Sequence, residues 1–272
     1  MSPVVIAQLP AALVFDQMAR EYDNVFTRST VGRAQRNVVW NVLTQAFQRG
    51  DHVLELNCGT GEDAFFLARH AISVTACDAS EQMIQVALGR LRTETPDAPV
   101  VFNLLPTERL REFHPTPMFD GAFSNFSGLN CVPDLKQTAN DLATLLRPHA
   151  PLVVCLSTRF CAWEMIWFLL HGNFRKAFRR CSGRATATLG DFTVEVYYPT
   201  VRELQQLFAP HFVIRSCAGV GVTVPPSYVE AWIRSHPKLL RLLCAIDKII
   251  SPLPGFRILG DHMVLRFERV PA

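Results

Sequence analysis

Two glycines and a later aspartate carry the clearest chemical signal in this sequence. Residues 53–64 read VLELNCGTGEDA, an apolar stretch followed by a turn that contains Gly59 and Gly61. A second apolar stretch, 73–77, ends at Asp78. Glycines in such a turn let the backbone approach a ligand closely, and a carboxylate after the next strand can accept from two ribose hydroxyls. The pattern therefore predicts half of a nucleoside-binding crevice.

Alternating strands and helices are needed to position these residues. We predict strands at 53–56, 73–77, 100–104, 119–124, 151–157, 212–218 and 262–269. Helices are predicted between them at 62–70, 81–92, 135–146 and 201–208. Strand–helix alternation at this spacing implies right-handed crossovers and a parallel sheet. The predicted fold class is α/β, a Rossmann-like, seven-stranded, mostly parallel sheet with helices on both faces.

Three further segments surround this predicted core. Residues 1–50 form an N-terminal cover with helices at 13–22 and 33–47, joined by a polar, irregular stretch. The core spans 51–157 and 200–220, and its last strand lies in 261–272. Two insertions, 158–199 and 221–260, leave from the carboxyl ends of strands, where ligands of open parallel sheets bind. We therefore expect both insertions to form a lid over the ligand.

Four motifs in the core resemble, in order and spacing, those of class I S-adenosylmethionine-dependent methyltransferases. They are ELNCGTG at 55–61, DASEQM at 78–83, FDGAFSN at 119–125 and LLRP at 145–148. Each motif alone is weak, but four in register are strong. An NAD-binding domain is disfavoured because Ala64 stands where its third glycine is needed. The resemblance implies S-adenosyl-L-methionine as methyl donor and S-adenosyl-L-homocysteine as product.

The resemblance also assigns cofactor contacts to residues at the strand ends and in the cover. These residues are Tyr22, Arg33, Glu55, Asn57, Gly59, Gly61, Asp78, Ala79, Met83, Thr107, Glu108 and Asn125. Asp78 would hold the ribose hydroxyls, and Tyr22 would close over the cofactor. Either Arg33 or Arg36 would pair with the methionine carboxylate.

Two positions depart from the family pattern. Asn57 replaces the first glycine of the turn, and Asn tolerates a left-handed φ better than other non-glycine residues. Pro106 stands where family members commonly carry an acid that contacts the adenine amine. Adenine would then be held by shape, by the backbone near Thr107 or by Glu108.

Composition sets further bounds. The net charge of +3 is too small to imply nucleic acid by itself, and 49% of the residues are hydrophobic, which argues against disorder. The eight cysteines include no C-x-x-C pair, so we expect no metal site and a reducing, cytoplasmic location. No apolar stretch is long enough to predict a membrane span, and no secretory signal is recognisable.

The lid carries what information there is about the acceptor. It contains aromatic residues, among them Trp163 and Trp167, and a basic run from Arg175 to Arg184. These residues fit either a lid core with a solvated basic face or an aromatic or apolar acceptor, with an anionic group or at a membrane surface. For a general base, His262 beside Asp261 and, more weakly, Tyr198 are the candidates.

The predicted function is methyl transfer to O, N or C of a small hydrophobic or amphipathic metabolite. A nucleic-acid or protein methyltransferase is the alternative, although the residues after the fourth strand, NFSG at 125–128, do not match the motif of enzymes that methylate base amines. A protein that binds the cofactor without catalysis is a third hypothesis. We expect no nucleic-acid partner, and the sequence carries no signal of oligomeric state.

Overall fold

The computed structural model describes residues 10–189 and 192–271. The strands of this part of the chain are β1 His52–Leu56, β2 Ser73–Asp78, β3 Val100–Leu104, β4 Gly121–Ser124, β5 Pro151–Ser157, β6 Arg184–Leu189, β7 Phe192–Tyr197, β8 Phe212–Val220 and β9 His262–Arg269. Its α-helices are α1 Pro10–Tyr22, α2 Thr30–Ala46, α3 Glu62–Arg69, α4 Glu81–Glu94, α5 Leu135–Leu145, α6 Ala162–Leu170, α7 Phe174–Ala177, α8 Val201–Phe208, α9 Glu230–Arg234 and α10 Pro237–Ile250.

Seven strands form one sheet in the order β3-β2-β1-β4-β5-β9-β8. The strands from β3 to β5 are parallel neighbours, whereas β9 runs antiparallel to both β5 and β8. The prediction of a seven-stranded, mostly parallel sheet is confirmed. Because β9 is reversed, its first residue, His262, lies opposite Ser157 and Val220 at the edge where the parallel strands end.

Two apolar layers cover the two faces of this sheet. Successive residues of a strand point to opposite faces, and so Val53 packs beneath α2 and α3 while Leu54 packs on the side of α5 and α8. Phe123 and Phe208 lie in these two layers and are fully buried. Helices therefore pack against both faces of the sheet and support the edge at which the parallel strands end.

Local capping explains several helix starts. Ser80 Oγ caps α4 by accepting from the Met83 N–H at 3.1 Å, and the helix begins at Glu81 as predicted. The prediction that the second cover helix starts at residue 33 was wrong, because Ser29 Oγ caps α2 by accepting from Gly32 N at 2.9 Å. The stretch before it is a π-helical turn, Asp23–Thr27, rather than irregular chain. Strand β4 also begins later than predicted, at Gly121, although Phe119 still pairs with Leu146.

The two insertions lie at the carboxyl edge of the sheet. The first contains α6, α7 and the antiparallel hairpin β6–β7. The second contains α9 and α10 between β8 and β9. Residues 1–9 of the predicted cover, residues 190–191 of the first insertion and residue 272 lie outside the described residues. Within the described ranges, no helix has the length and apolar character needed to span a bilayer.

Candidate functional site

The turn between β1 and α3 forms the floor of a cavity. Asn57, Gly59 and Gly61 have φ of 55°, 53° and 80°. The left-handed conformation predicted for Asn57 is therefore confirmed. A Cβ added to Gly61 would also lie 2.7 Å from Phe102 Cζ, so both the positive φ and this contact disfavour a side chain at position 61. Gly59 faces open space, which leaves its backbone accessible to a ligand.

Asp78 ends β2 at the wall of this cavity. Its Oδ2 accepts from Gly59 N and its Oδ1 from Ser80 N, both at 2.8 Å. Burial raises the pKa of Asp78, and the backbone hydrogen bonds oppose that rise. Each carboxylate oxygen has more than one lone pair. A fixed carboxylate with spare acceptor capacity is the arrangement that a ribose diol requires.

A second buried carboxylate, Asp63, joins three elements around the cavity. Its Oδ2 accepts from Arg36 Nη1 at 2.5 Å and from Asn125 Nδ2 at 3.0 Å, and its Oδ1 accepts from Trp40 Nε1 at 2.6 Å. The Arg36 guanidinium also lies 4.8 Å from the Phe126 ring centroid. Sequence reasoning did not assign Asp63 to the site. Its position in the first turn of α3 was the available signal.

The chain after β4 adopts a backbone that non-glycine residues rarely take. Phe126 and Ser127 have φ of 44° and 67°. Asn125 Oδ1 accepts from Phe126 N at 2.9 Å, and the hydroxyls of Ser127 and Ser157 lie 2.6 Å apart. Residues held in such conformations cluster at functional sites. This turn places the Phe126 ring in the cavity wall, a contribution that the sequence did not reveal.

The N-terminal cover closes the cavity from above. Tyr22 lines it together with Phe15, and burial raises the pKa of Tyr22 to about 12. Two side chains anchor this cover to the core. Asp16 Oδ1 accepts from Ser80 Oγ at 2.5 Å, and Asp23 Oδ1 accepts from Thr60 Oγ1 at 2.6 Å. The cover thus contacts the turn that forms the cavity floor.

The structure brings eight of the predicted cofactor residues to the cavity: Tyr22, Asn57, Gly59, Asp78, Ala79, Met83, Glu108 and Asn125. Burial raises the pKa of the Glu108 carboxyl. Thr107 is buried and does not line the cavity, but its hydroxyl accepts from Nδ2 of the lining residue Asn57 at 3.1 Å. Gly61 also lies outside the lining. Glu55 is buried, which raises its pKa well above the ordinary value, and its Oε2 has no hydrogen-bond partner within the described ranges.

Of the two candidate arginines, only Arg36 lies at the cavity. Arg33 is exposed and lines a separate outer groove between α2 and α10. Three residues apart on one helix, the two side chains differ by roughly 60° in direction. That rotation carries Arg33 away from the cavity, so the structure favours Arg36 over the Arg33 of the sequence-based assignment.

Neither candidate base lines the cavity. His262 lies behind Phe126, with ring centroids 5.3 Å apart in an edge-to-face arrangement. Its Nδ1 is 3.6 Å from Asp261 Oδ2, which is beyond hydrogen-bond distance, and burial lowers the pKa of His262. Tyr198 is buried, and the Arg180 guanidinium lies 5.4 Å from the centroid of its ring. Burial raises the pKa of Tyr198.

This arrangement fits S-adenosylmethionine. Asp78 offers acceptors for the ribose, and the turn at Gly59 leaves room for close backbone approach. Arg36 supplies a buried cation for a carboxylate. An apolar wall that includes Met83 and Ala79 suits an adenine ring.

Comparisons with known proteins agree with this geometry. Residues 53–149 match a family profile described as "Methyltransferase domain". The chain is 25% identical over 228 residues to the 2-phytyl-1,4-naphtoquinone methyltransferase of Synechococcus elongatus, a match that covers 83% of this chain and 81% of that protein.

Two solved structures share the fold. The [4+2]-cyclase SpnF superposes with a TM-score of 0.64 at 16% identity, covering 96% of each chain. The DhpI–SAH complex gives a TM-score of 0.57 at 17% identity, covering 98% of this chain and 100% of the other. Residues 53–149 thus match a methyltransferase domain, and together with the four motifs and the cavity this match supports the prediction of a class I S-adenosylmethionine-dependent methyltransferase.

Proposed function

We propose that the methyl acceptor is a small, largely apolar metabolite that is methylated at O, N or C. The observation that carries this proposal is the apolar side of the cavity. Phe15, Phe126, Cys131 and Val132 line it, in the same cavity as the polar Asp78. An apolar pocket with a few polar groups is typical of small-molecule sites. The relative from Synechococcus elongatus, named for a naphthoquinone substrate, supports the same class of acceptor.

S-adenosylmethionine, when bound, supplies a methyl group on a positively charged sulfonium. The protein's part is to bind and orient. Asp78 accepts from the ribose hydroxyls, and Arg36 neutralises the methionine carboxylate while Asp63 holds its guanidinium in place. The cover closes over both reactants through Asp16 and Asp23 and excludes water.

His262 is the stronger of the two candidate proton acceptors within this proposal. Burial keeps its imidazole neutral, and a neutral imidazole can take a proton, whereas the raised pKa of Tyr198 keeps that phenol protonated. His262 touches the cavity wall at Phe126. If it accepts the proton, His262→Gln removes the low-pH limb of the kcat profile and leaves S-adenosylhomocysteine binding unchanged. A kcat profile with its low-pH limb intact would refute the role.

Binding of S-adenosylhomocysteine, measured by calorimetry, tests the donor site. Asp78→Ala removes hydrogen bonds to a charged group, each of which contributes about 1.5–3 kcal/mol, so affinity should fall by about 100-fold or more. Asp97→Ala, an exposed position in the turn after α4, is the matched control and should bind normally. Equal binding by both variants would refute the assignment of Asp78.

Turnover is tested by incubating the protein with S-adenosylmethionine and a panel of naphthoquinols, phenols and amines. Mass spectrometry would detect the gain of one CH2 group. Methylation of a polar peptide or an oligonucleotide, with none of the apolar panel, would refute the acceptor class. Cofactor binding without any turnover would instead support a protein that has lost catalysis.

We further propose that the protein works in the cytoplasm. All eight cysteines are free, and Cys58, Cys77, Cys155 and Cys161 are buried among apolar side chains. Burial raises the pKa of the Cys77, Cys155 and Cys161 thiols to about 12, which keeps them unreactive. Thiols used as small apolar groups are typical of a reducing compartment.

A further inference from the structure

Two helices of the lid carry their apolar residues on the outside. On α6, Ile166, Leu169 and Leu170 are 54%, 37% and 79% exposed. Their spacing of three and four residues places them on one face of the helix. The apolar surface continues into the next turn with Phe174 and Phe178, which are 65% and 46% exposed.

The second outward stripe lies on α10. Leu242, Ile246 and Ile249 are 57%, 37% and 71% exposed and recur at the spacing of one helical face. Leu253 and Phe256 extend the stripe beyond the end of the helix and are 45% and 44% exposed. A helix of a water-exposed surface normally shows the opposite pattern, with its apolar face buried.

The acidic residues of both helices point inward instead. Glu164 of α6 is 1% exposed and forms ion pairs with Arg179 and Arg180, each with a nitrogen–oxygen distance of 2.6 Å. Asp247 of α10 is 2% exposed, and its two oxygens accept from the backbone N–H groups of Gly221 and Thr223. The carboxylates thus form the inner connections of the lid, and the apolar side chains are left outside.

The two helices adjoin at one residue. Trp163 Nε1 of α6 donates to the Thr223 carbonyl at 3.0 Å, and Thr223 Oγ1 donates to the Leu243 carbonyl of α10 at 2.7 Å. Both insertions leave the sheet at its carboxyl edge, although none of their described residues lines the cofactor cavity. We refer to the two apolar stripes together as the lid face.

The charge of the lid face is of one sign. Exposed cations flank the stripes at Arg175, Lys176, Lys238, Arg241 and Lys248. Residues 162–184 and 237–257 contain no acid besides the buried Glu164 and Asp247. A second copy of the chain would bring like charges together across a two-fold interface, which disfavours self-association. Apolar side chains ringed by Lys and Arg match an anionic lipid surface.

We propose that the lid face binds the surface of an anionic membrane, with the stripes of α6 and α10 inserted among the lipids and the flanking cations at the headgroups. This proposal concerns a surface outside the cofactor cavity and does not depend on the acceptor. It also has a consequence for the proposed function, because an apolar acceptor dissolved in lipid would then reach the lid directly.

Vesicle co-sedimentation tests the proposal with the full chain. The vesicles are pure phosphatidylcholine or phosphatidylcholine with phosphatidylglycerol, and we expect binding to the second that weakens with added salt. Arg175→Gln with Lys176→Gln should reduce this binding by about thirtyfold, because each cation near the surface contributes about 1 kcal/mol. Leu170→Ser with Ile249→Ser should reduce it by at least about tenfold, because insertion of large apolar side chains is lost.

Val101→Ser with Val213→Ser is the matched control. These valines are 59% and 38% exposed but lie on the two edge strands of the sheet, away from the lid face. This variant should bind vesicles like the wild type. All variants should bind S-adenosylhomocysteine normally, which separates a failure here from a failure of the donor site.

Three results would overturn the proposal. They are the absence of binding to either vesicle, equal loss of binding in the control variant, and a stable wild-type dimer in light scattering that Leu170→Ser with Ile249→Ser dissociates. The last result would show that the stripes are covered by a second copy of the chain.

Discussion

Replacement of Asp63 by alanine should destabilise the protein strongly, because it removes the acceptor for three donors at once. Arg36, Trp40 and Asn125 all donate to this carboxylate, and the side chains of Arg36 and Asp63 are 5% and 7% exposed. Without Asp63 the guanidinium of Arg36 stays buried with no anion beside it. A guanidinium keeps its proton in proteins, so the arginine cannot escape this situation by becoming neutral.

The expected loss follows from the burial of the pair. Removal of one partner of a buried ion pair lowers the stability of the folded protein by roughly 3–5 kcal/mol, since an uncompensated charge is left behind. An exposed pair contributes about 0–1 kcal/mol. Arg147 and Asp120 form such a pair at 2.7 Å, with Arg147 55% exposed. Asp63→Ala should therefore lower the free energy of unfolding several times more than Arg147→Ala.

Urea unfolding monitored by circular dichroism measures both losses. A double variant, Arg36→Met with Asp63→Ala, removes the unpaired cation and should recover part of the stability. S-adenosylhomocysteine should stabilise Asp63→Ala more than the wild type if its carboxylate reaches Arg36. A loss below about 1 kcal/mol for Asp63→Ala would refute the reasoning, because it would mean that water solvates Arg36 in the folded protein.

Three further outcomes test other parts of the fold. Gly128→Ala would place a Cβ 2.2 Å from Asn57 Cβ, so it should lower the free energy of unfolding by about 1–3 kcal/mol and weaken S-adenosylhomocysteine binding. The control Gly89→Ala, in open space on α4, should raise the free energy of unfolding by about 0.4–1 kcal/mol in the same urea assay. Equal effects of the two substitutions would contradict the contact between Gly128 and Asn57. Thr200→Ala removes the capping box of α8 and should cost about 1 kcal/mol in thermal unfolding, and an unchanged melting temperature would count against it. The lowered pKa of His262 means that the unfolded chain binds its proton first, so stability should fall as the pH drops below about 6.5, and His262→Gln should flatten that slope in unfolding curves at several pH values.

Local sequence determined much of the core. The predicted bounds of β5, α8 and β9 agree with the structure, because Pro151, Thr200 and Asp261 mark their starts and the apolar patterns are unbroken. The start of α2 was missed although Ser29 offers a local cap, and part of its stabilisation comes from a residue that no local pattern reports. Glu230, distant in sequence, accepts from Thr30 N at 2.7 Å and from Val31 N at 2.9 Å and so helps to cap that helix.

The same limit applies to the candidate site. The residues that motifs point to, such as Asp78 and Asn57, line the cavity because their positions follow from the strand ends. The contact between Arg36 and Asp63 depends on how α2 crosses α3, which no local pattern reports. The left-handed turn at Phe126 likewise depends on Ser157 from the neighbouring strand, and the choice between Arg33 and Arg36 needs the orientation of a whole helix.

The position of β9 has a consequence for synthesis on the ribosome. This last strand lies between β5 and β8, so β8 cannot join the sheet until residues 262–269 have left the exit tunnel. The five parallel strands and their helices can pair earlier, since they are contiguous up to Ser157. During that interval β5 presents an open edge, and its own residues, such as Leu152 and Val154, are fully buried in the finished protein. An unpaired apolar strand edge is prone to join other chains. Nascent chains that stall before residue 262 should therefore depend on chaperones more than the completed protein does.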